Sequence, residues 1–80
     1  MDQNKVLIKV LELAARQFGV DAGSLDEASS ASQFPSWNSL NHVMLIAAVE
    51  KEFGIKFDLL QMVDMKNLGE IANSAFNALK

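Results

Sequence analysis

The eighty residues contain one histidine and no cysteine, and those two counts narrow the available chemistry. Without cysteine there is no thiolate nucleophile, no zinc–thiolate site and no iron–sulfur cluster, and the chain suits a reducing compartment. The histidine, His42, stands three residues after Ser39, a spacing that makes neighbours on a helix face. A serine–histidine pair becomes a nucleophilic centre only when a third group orients the imidazole and donors line a substrate pocket. The sequence supplies neither, so no catalytic residue is assigned, and His42 reads as an exposed first-turn residue packing against Trp37. Asp21, Asp26 and Glu27 are close in sequence but lack the ligand spacing and central glycine of a calcium loop. No metal ligand is assigned, and a self-contained enzyme is not expected. Ser29, Ser30 and Ser32 read as solvent-facing loop residues.

The elements that would position these groups are helical. Leu7, Leu11, Ala14 and Phe18 recur at helical spacing, with Val6, Val10 and Leu13 widening the stripe, while Lys5, Lys9, Glu12 and Arg16 fall outside it. This predicts an amphipathic helix over residues 4–18, closed by Gly19 in a left-handed conformation. Residues 20–38 then turn polar and small, with isolated apolar residues Val20, Leu25, Phe34 and Trp37. So long a connection is uncommon in a compact domain, and those four side chains are expected to pin it to the helices. A second helix is expected over 39–53, capped by Asn38 and stopped at Gly54. Its run from Val43 to Val49 is apolar throughout. Leu45, Ile46, Val49 and Phe53 suit a core; Leu40, Val43, Met44 and Ala47 need either a second buried side or a partner. Asp58 with Gln61 forms a capping-box pattern for a short third helix over 58–63. Asn67 with Glu70 repeats it before a fourth over 68–79, whose buried row would be Leu68, Ile71, Ala72, Ala75 and Leu79. No stretch alternates long enough to make a strand. The expected fold is all-α, a small four-helix bundle with three longer helices, one short third helix and a long first loop, in one domain over 1–80.

The formal net charge is -3, with the seven lysines and arginines scattered singly. Nucleic-acid binding draws on clustered cations, and no helix that might enter a groove begins with arginine or lysine. Neither nucleic acid nor membrane is expected as a partner; proteins with basic docking surfaces are. The first residues lack a secretory apolar region with a cleavage site, and the cytoplasm is the expected location.

Trp37-Asn38-Ser39-Leu40 joins the long loop to the apolar second helix. This arrangement resembles the acyl carrier protein family, whose hallmark is Asp-Ser-Leu at the start of the second helix, often with Trp before the Asp. The following NHVMLIAAVEKEFGIKF and the final LGEIANSAFNAL segment fall in the family's order, so the resemblance covers nearly the whole chain. It implies a stand-alone monomeric carrier for fatty-acid, polyketide or related biosynthesis. Ser39 would accept 4′-phosphopantetheine from coenzyme A through a separate phosphopantetheinyl transferase. Acyl or aminoacyl-type cargo would ride on the arm as a thioester between acyl-loading and acyl-using enzymes. A helix N-terminus, with its free amides and positive dipole end, suits a phosphodiester.

Two departures from the family pattern matter. The family's aspartate is Asn38 here, which keeps the cap but removes a negative charge beside the modification site. An alternative role is therefore an unmodified four-helix interaction module, with Asn38 marking reduced or lost modification. Acids are also sparse on the second helix, where Met44 takes a position that is often acidic. The resemblance then implies docking through Leu40, Val43, Met44 and Ala47, with Glu50 at the end of the face, and weak salt dependence. A cleft for a fatty chain, if one opens, would be lined by Leu45, Ile46, Phe57, Leu60, Met62 and Ala72, with Met62 and Met65 adaptable enough to yield.

Overall fold

A computed structural model describes residues 2–79. It contains α1 (Gln3–Phe18), α2 (Ser39–Phe53), α3 (Leu59–Asp64) and α4 (Leu68–Ala78), with 3₁₀ turns at Ala22–Ser24 and Ala31–Gln33 in the long first loop. Among the described residues there is no strand, only an isolated antiparallel bridge between Ser30 and Asn67. The bundle and its element order are those expected, with helix ends within a residue of the sequence reading.

Each helix start has its own cap. Asp2, Asn38, Asp58 and Asn67 accept from the backbone amides of Lys5, Asn41, Gln61 and Glu70 respectively, so each satisfies one of the donors that a helix leaves unpaired at its first turn. Gln61 returns the contact to the Asp58 amide and completes a capping box. Gly19 and Gly54 close α1 and α2 with φ of 69° and 66°, a region costly for any residue with a Cβ.

The core lies between α1, α2 and α4, which pack against one another. Val6, Val10, Ala14 and Phe18 come from α1, Leu45, Ile46 and Val49 from α2, and Leu68, Ile71, Ala72 and Ala75 from α4. The seam of α1 is therefore the four-residue ridge of Val6, Val10, Ala14 and Phe18. Leu7, Leu11 and Leu13 are half-buried at its edges, so the stripe is centred one residue from where the leucines suggested. Phe53 is likewise half-buried, and Leu79, expected in the buried row of α4, is 39% exposed where the helix ends.

The first loop is built into the bundle. Leu25 and Trp37 are buried with the core, Val20 and Phe34 pack against it, and Trp37 stacks on Phe18 with ring centroids 5.0 Å apart. The loop also caps a helix from a distance. The amides of Leu68 and Gly69, in the first turn of α4, donate to the carbonyls of Ser29 (3.1 Å) and Glu27 (2.8 Å). Ser29 is consequently buried, at 4% exposure, which corrects the expectation of a solvent-facing residue. Its hydroxyl accepts from the Asp26 amide at 2.9 Å and so makes the turn that presents both carbonyls. Asp26 and Glu27 thus belong to a capping loop. Ser32 is exposed and Ser30 half-buried, with their hydroxyls 3.0 Å apart.

This junction explains the glycine in α4. A Cβ on Gly69 would lie 2.8 Å from the Glu27 carbonyl oxygen and 3.2 Å from the Glu27 Cβ. Gly69→Ala is expected to destabilise the fold by about 1–3 kcal/mol through overpacking. That outweighs the roughly 1 kcal/mol by which alanine is favoured over glycine within a helix. Urea unfolding reads the sign directly, and a more stable variant would refute the close approach.

Candidate functional site at the start of α2

Ser39 is the first residue of α2 and its side chain faces solvent. The preceding loop sets this position. Trp37 is driven into the core, its amide closing a turn onto the Phe34 carbonyl at 3.0 Å. Asn38 then takes an extended backbone and accepts from the Asn41 amide at 2.9 Å. One turn on, the Asn41 side chain donates to the Ser36 carbonyl and accepts from Gln17 of α1 at 3.1 Å. Loop, α2 and α1 are thereby locked together on either side of Ser39. Sequence reasoning missed Asn41; its only signal was an amide at the edge of an apolar helix.

The cap consumes the Asn41 amide, and His42 donates its own to the Asn38 carbonyl at 2.8 Å. The amides of Ser39 and Leu40 have no partner among the described residues, so two donors remain at the positive end of the helix dipole. No acid lies in the first turn of α2. A cleft of about 720 Å³ runs beside the serine, bounded by Trp37, Asn38, Ser39, His42 and Val43 on one side, by Ser30, Ala31 and Ser32 of the loop, and by Val63, Met65 and Lys66 on the other. Its walls are mostly apolar, with Lys66 a cation at their edge. An exposed hydroxyl beside two free amides, a lysine and an apolar cleft fits a phosphodiester joined to a long, mainly uncharged arm.

His42 is half-buried, in contrast to the exposed residue expected. It stacks on Trp37 at 6.0 Å between centroids, as expected, and its ring nitrogens are both engaged. Neither nitrogen bonds to Ser39, whose hydroxyl has no hydrogen-bond partner among the described residues.

The outward face of α2 carries Leu40, Val43, Met44 and Ala47, all exposed, Leu40 to 69%. The choice between two buried sides and an open surface is thus decided for the surface. Glu50 is half-buried, and its carboxylate accepts from the Phe57 amide at 2.8 Å. It braces the α2–α3 connection at the end of the face that Leu40, Val43, Met44 and Ala47 form. Of the residues expected to line a fatty-chain cleft, Leu60 is 77% exposed on the outer side of α3, whereas Leu45 and Ile46 have no accessible surface. Among the described residues no helix is long and apolar enough to cross a membrane, and no cluster of acidic or histidine side chains could hold a metal ion.

Comparison with known proteins agrees with this geometry. Residues 8–74 match the family model of the phosphopantetheine attachment site. The chain is 24% identical over 71 residues to an acyl carrier protein of Saccharopolyspora erythraea, covering 89% of this chain and 75% of that protein. Its fold is similar to the solution structure of the holo acyl carrier protein of Geobacter metallireducens, with a TM-score of 0.82 and 30% identity over 92% of this chain and 85% of that one. On the length of that match, and on a serine opening the second helix of a four-helix bundle, this chain belongs to the phosphopantetheine attachment-site family, as an acyl carrier protein.

Proposed function

We propose that Ser39 is the attachment point of 4′-phosphopantetheine and that the protein carries acyl cargo between biosynthetic enzymes in the cytoplasm. The observation that carries this reading is the solvent-facing hydroxyl at the first position of α2, next to two unpartnered amides and an apolar cleft. The bound arm supplies a thiol that holds the acyl group as a thioester. The residues of this chain present and orient. The Ser39 hydroxyl is the nucleophile that a separate transferase activates, displacing the nucleotide part of coenzyme A from the phosphoryl group. The amides of Ser39 and Leu40 then face the phosphodiester, with Lys66 available to offset its charge. Val43, Val63 and Met65 offer the arm an apolar wall. Incubation with coenzyme A and a broad-specificity transferase, followed by intact-mass measurement, tests the assignment.

Partner enzymes meet the face of Leu40, Val43, Met44 and Ala47. Those four side chains are uncharged, with Lys51 one turn beyond Ala47 and the Glu50 carboxylate engaged by the Phe57 amide, and raising the salt from 50 to 500 mM is expected to weaken docking only slightly. Steep salt dependence would instead point to an ionic docking site elsewhere.

Asn38 favours a second reading, an unmodified interaction module. The two are separated by the missing charge. Asn38→Asp preserves the bond to the Asn41 amide and should change stability by less than about 1 kcal/mol. It is expected to speed transfer of the arm several-fold if a cation of the transferase reads an acid at this position. Equal rates for the two proteins would refute that account of the asparagine.

A further inference from the structure

α3 is the helix least anchored by packing. It contributes no fully buried residue: only Met62 packs against the core, half-buried, and Leu59, Leu60 and Val63 all stand exposed. Its flanks are held by the buried side chains of Phe57 and Met65. Two polar ties fasten it to α2. The Glu50 carboxylate accepts from the Phe57 amide in front of it, and His42 meets the Met62 carbonyl near its end at 2.9 Å. The second tie defines the histidine. Trp37 Nε1–H donates to His42 Nδ1 at 3.0 Å, so the proton of the neutral ring is on Nε2, which donates to the Met62 oxygen. That oxygen also accepts from the Met65 amide at 3.3 Å. A single imidazole therefore links a buried tryptophan, the first turns of α2 and the last turn of α3. His42, Val63 and Met65 all line the cleft beside Ser39.

We propose that His42 is a positioning residue that latches α3 against α2 and thereby sets the far wall of the cleft in which the arm and its cargo lie. The wall side chains, Val63 and Met65, sit one residue after the latched carbonyl and at the helix C-cap, so they move when the tie is lost. The outer side of α3 faces water, and no packing on that side replaces the tie. The inference rests on the assignment of Ser39 only for what occupies the cleft; the latch itself is a property of the unmodified protein.

His42→Phe keeps an aromatic ring over Trp37 and removes both hydrogen bonds. His42→Gln keeps an acceptor and a donor at a separation close to that of the two ring nitrogens. In the unmodified protein, amide hydrogen exchange at Met62 and Met65 is expected to be about five- to tenfold faster in the Phe variant, through local opening of α3. The Gln variant should return most of the way to the parent rate. If core amides of α1 loosen in His42→Phe while Met62 and Met65 keep the parent rate, the histidine merely satisfies the indole and the latch is refuted.

A second measurement reads the cleft. Loaded from hexanoyl-coenzyme A by the transferase, the hexanoyl thioester should react several-fold faster with hydroxylamine in His42→Phe than in the parent or His42→Gln. Equal rates in all three would overturn the link between latch and cleft. If intact mass shows that Ser39 takes no arm, it is the carrier assignment that fails, and the exchange measurement alone judges the latch.

Discussion

Ser39→Ala is expected to abolish modification completely: with coenzyme A and a broad-specificity transferase, the parent gains the mass of one phosphopantetheine and the variant gains nothing. The effect is all-or-none because the bond is made by a single oxygen and alanine has no nucleophile to replace it. Neighbouring serines do not substitute. Ser36 is half-buried with its carbonyl bound by Asn41, and the hydroxyls of Ser30 and Ser32 bond each other. None of them begins a long helix. The fold should be untouched, since the Ser39 hydroxyl has no partner among the described residues and alanine suits a first helical position. Thermal unfolding within about 2 °C of the parent, a stability change of less than about 0.5 kcal/mol, would show that the loss is chemical. A mass gain on the alanine variant would place the arm elsewhere. If neither protein gains mass with several transferases, while partner binding persists, the interaction-module reading stands.

The second large effect concerns the tryptophan beneath the site. Trp37→Ala removes a side chain that is 4% exposed, stacked on Phe18 and bonded to His42. Truncations of buried aromatic residues cost about 3–5 kcal/mol. A domain of this size has on the order of 4–12 kcal/mol in total, so the variant should lose more than about 10 °C in Tm and sit close to unfolding at body temperature. Trp37→Phe keeps the stack and loses the indole N–H, and should cost roughly half as much. Calorimetry of the two variants separates packing from the hydrogen bond. A Trp37→Ala protein as stable as the parent would show that the loop does not depend on this anchor. The same substitution should slow modification of Ser39 even in the fraction that remains folded, because Trp37 and Asn41 are what hold the end of the loop against the bundle.

Most of the helical frame was legible because its signals are local. Periodic apolar residues, a polar cap for α2, α3 and α4 and a glycine behind α1 and α2 act within one or two turns. The position of Ser39 at a helix start was legible for the same reason: Asn38 caps whether or not the rest of the bundle exists. What failed to show were features depending on partners distant in sequence. The burial of Ser29 comes from α4, some forty residues on, whose first amides need its carbonyl and that of Glu27. The inward turn of Glu50 comes from the Phe57 amide, beyond the glycine that ends α2. The half-buried state of His42 depends on the Met62 carbonyl. In each case a polar residue that looks solvated along the chain meets a backbone group left unpaired elsewhere. Buried backbone donors and acceptors must be satisfied, but a linear reading does not say by which side chain.

The amino-acid sequence by itself determined the number, type and order of the helices, the capped start of α2 with its serine, and the family to which the chain belongs. The helices and the cap follow from propensity and spacing, which operate between neighbours along the chain; the family follows from the resemblance carried by Trp37-Asn38-Ser39-Leu40 and the segments after it. Only the tertiary structure decided which side of the apolar α2 is open, that the first loop is a structural strut capping α4, and that two polar ties fasten α3 to α2 beside a cleft. Those outcomes depend on where distant segments place their unpaired amides and carbonyls, a constraint set by the packed bundle as a whole.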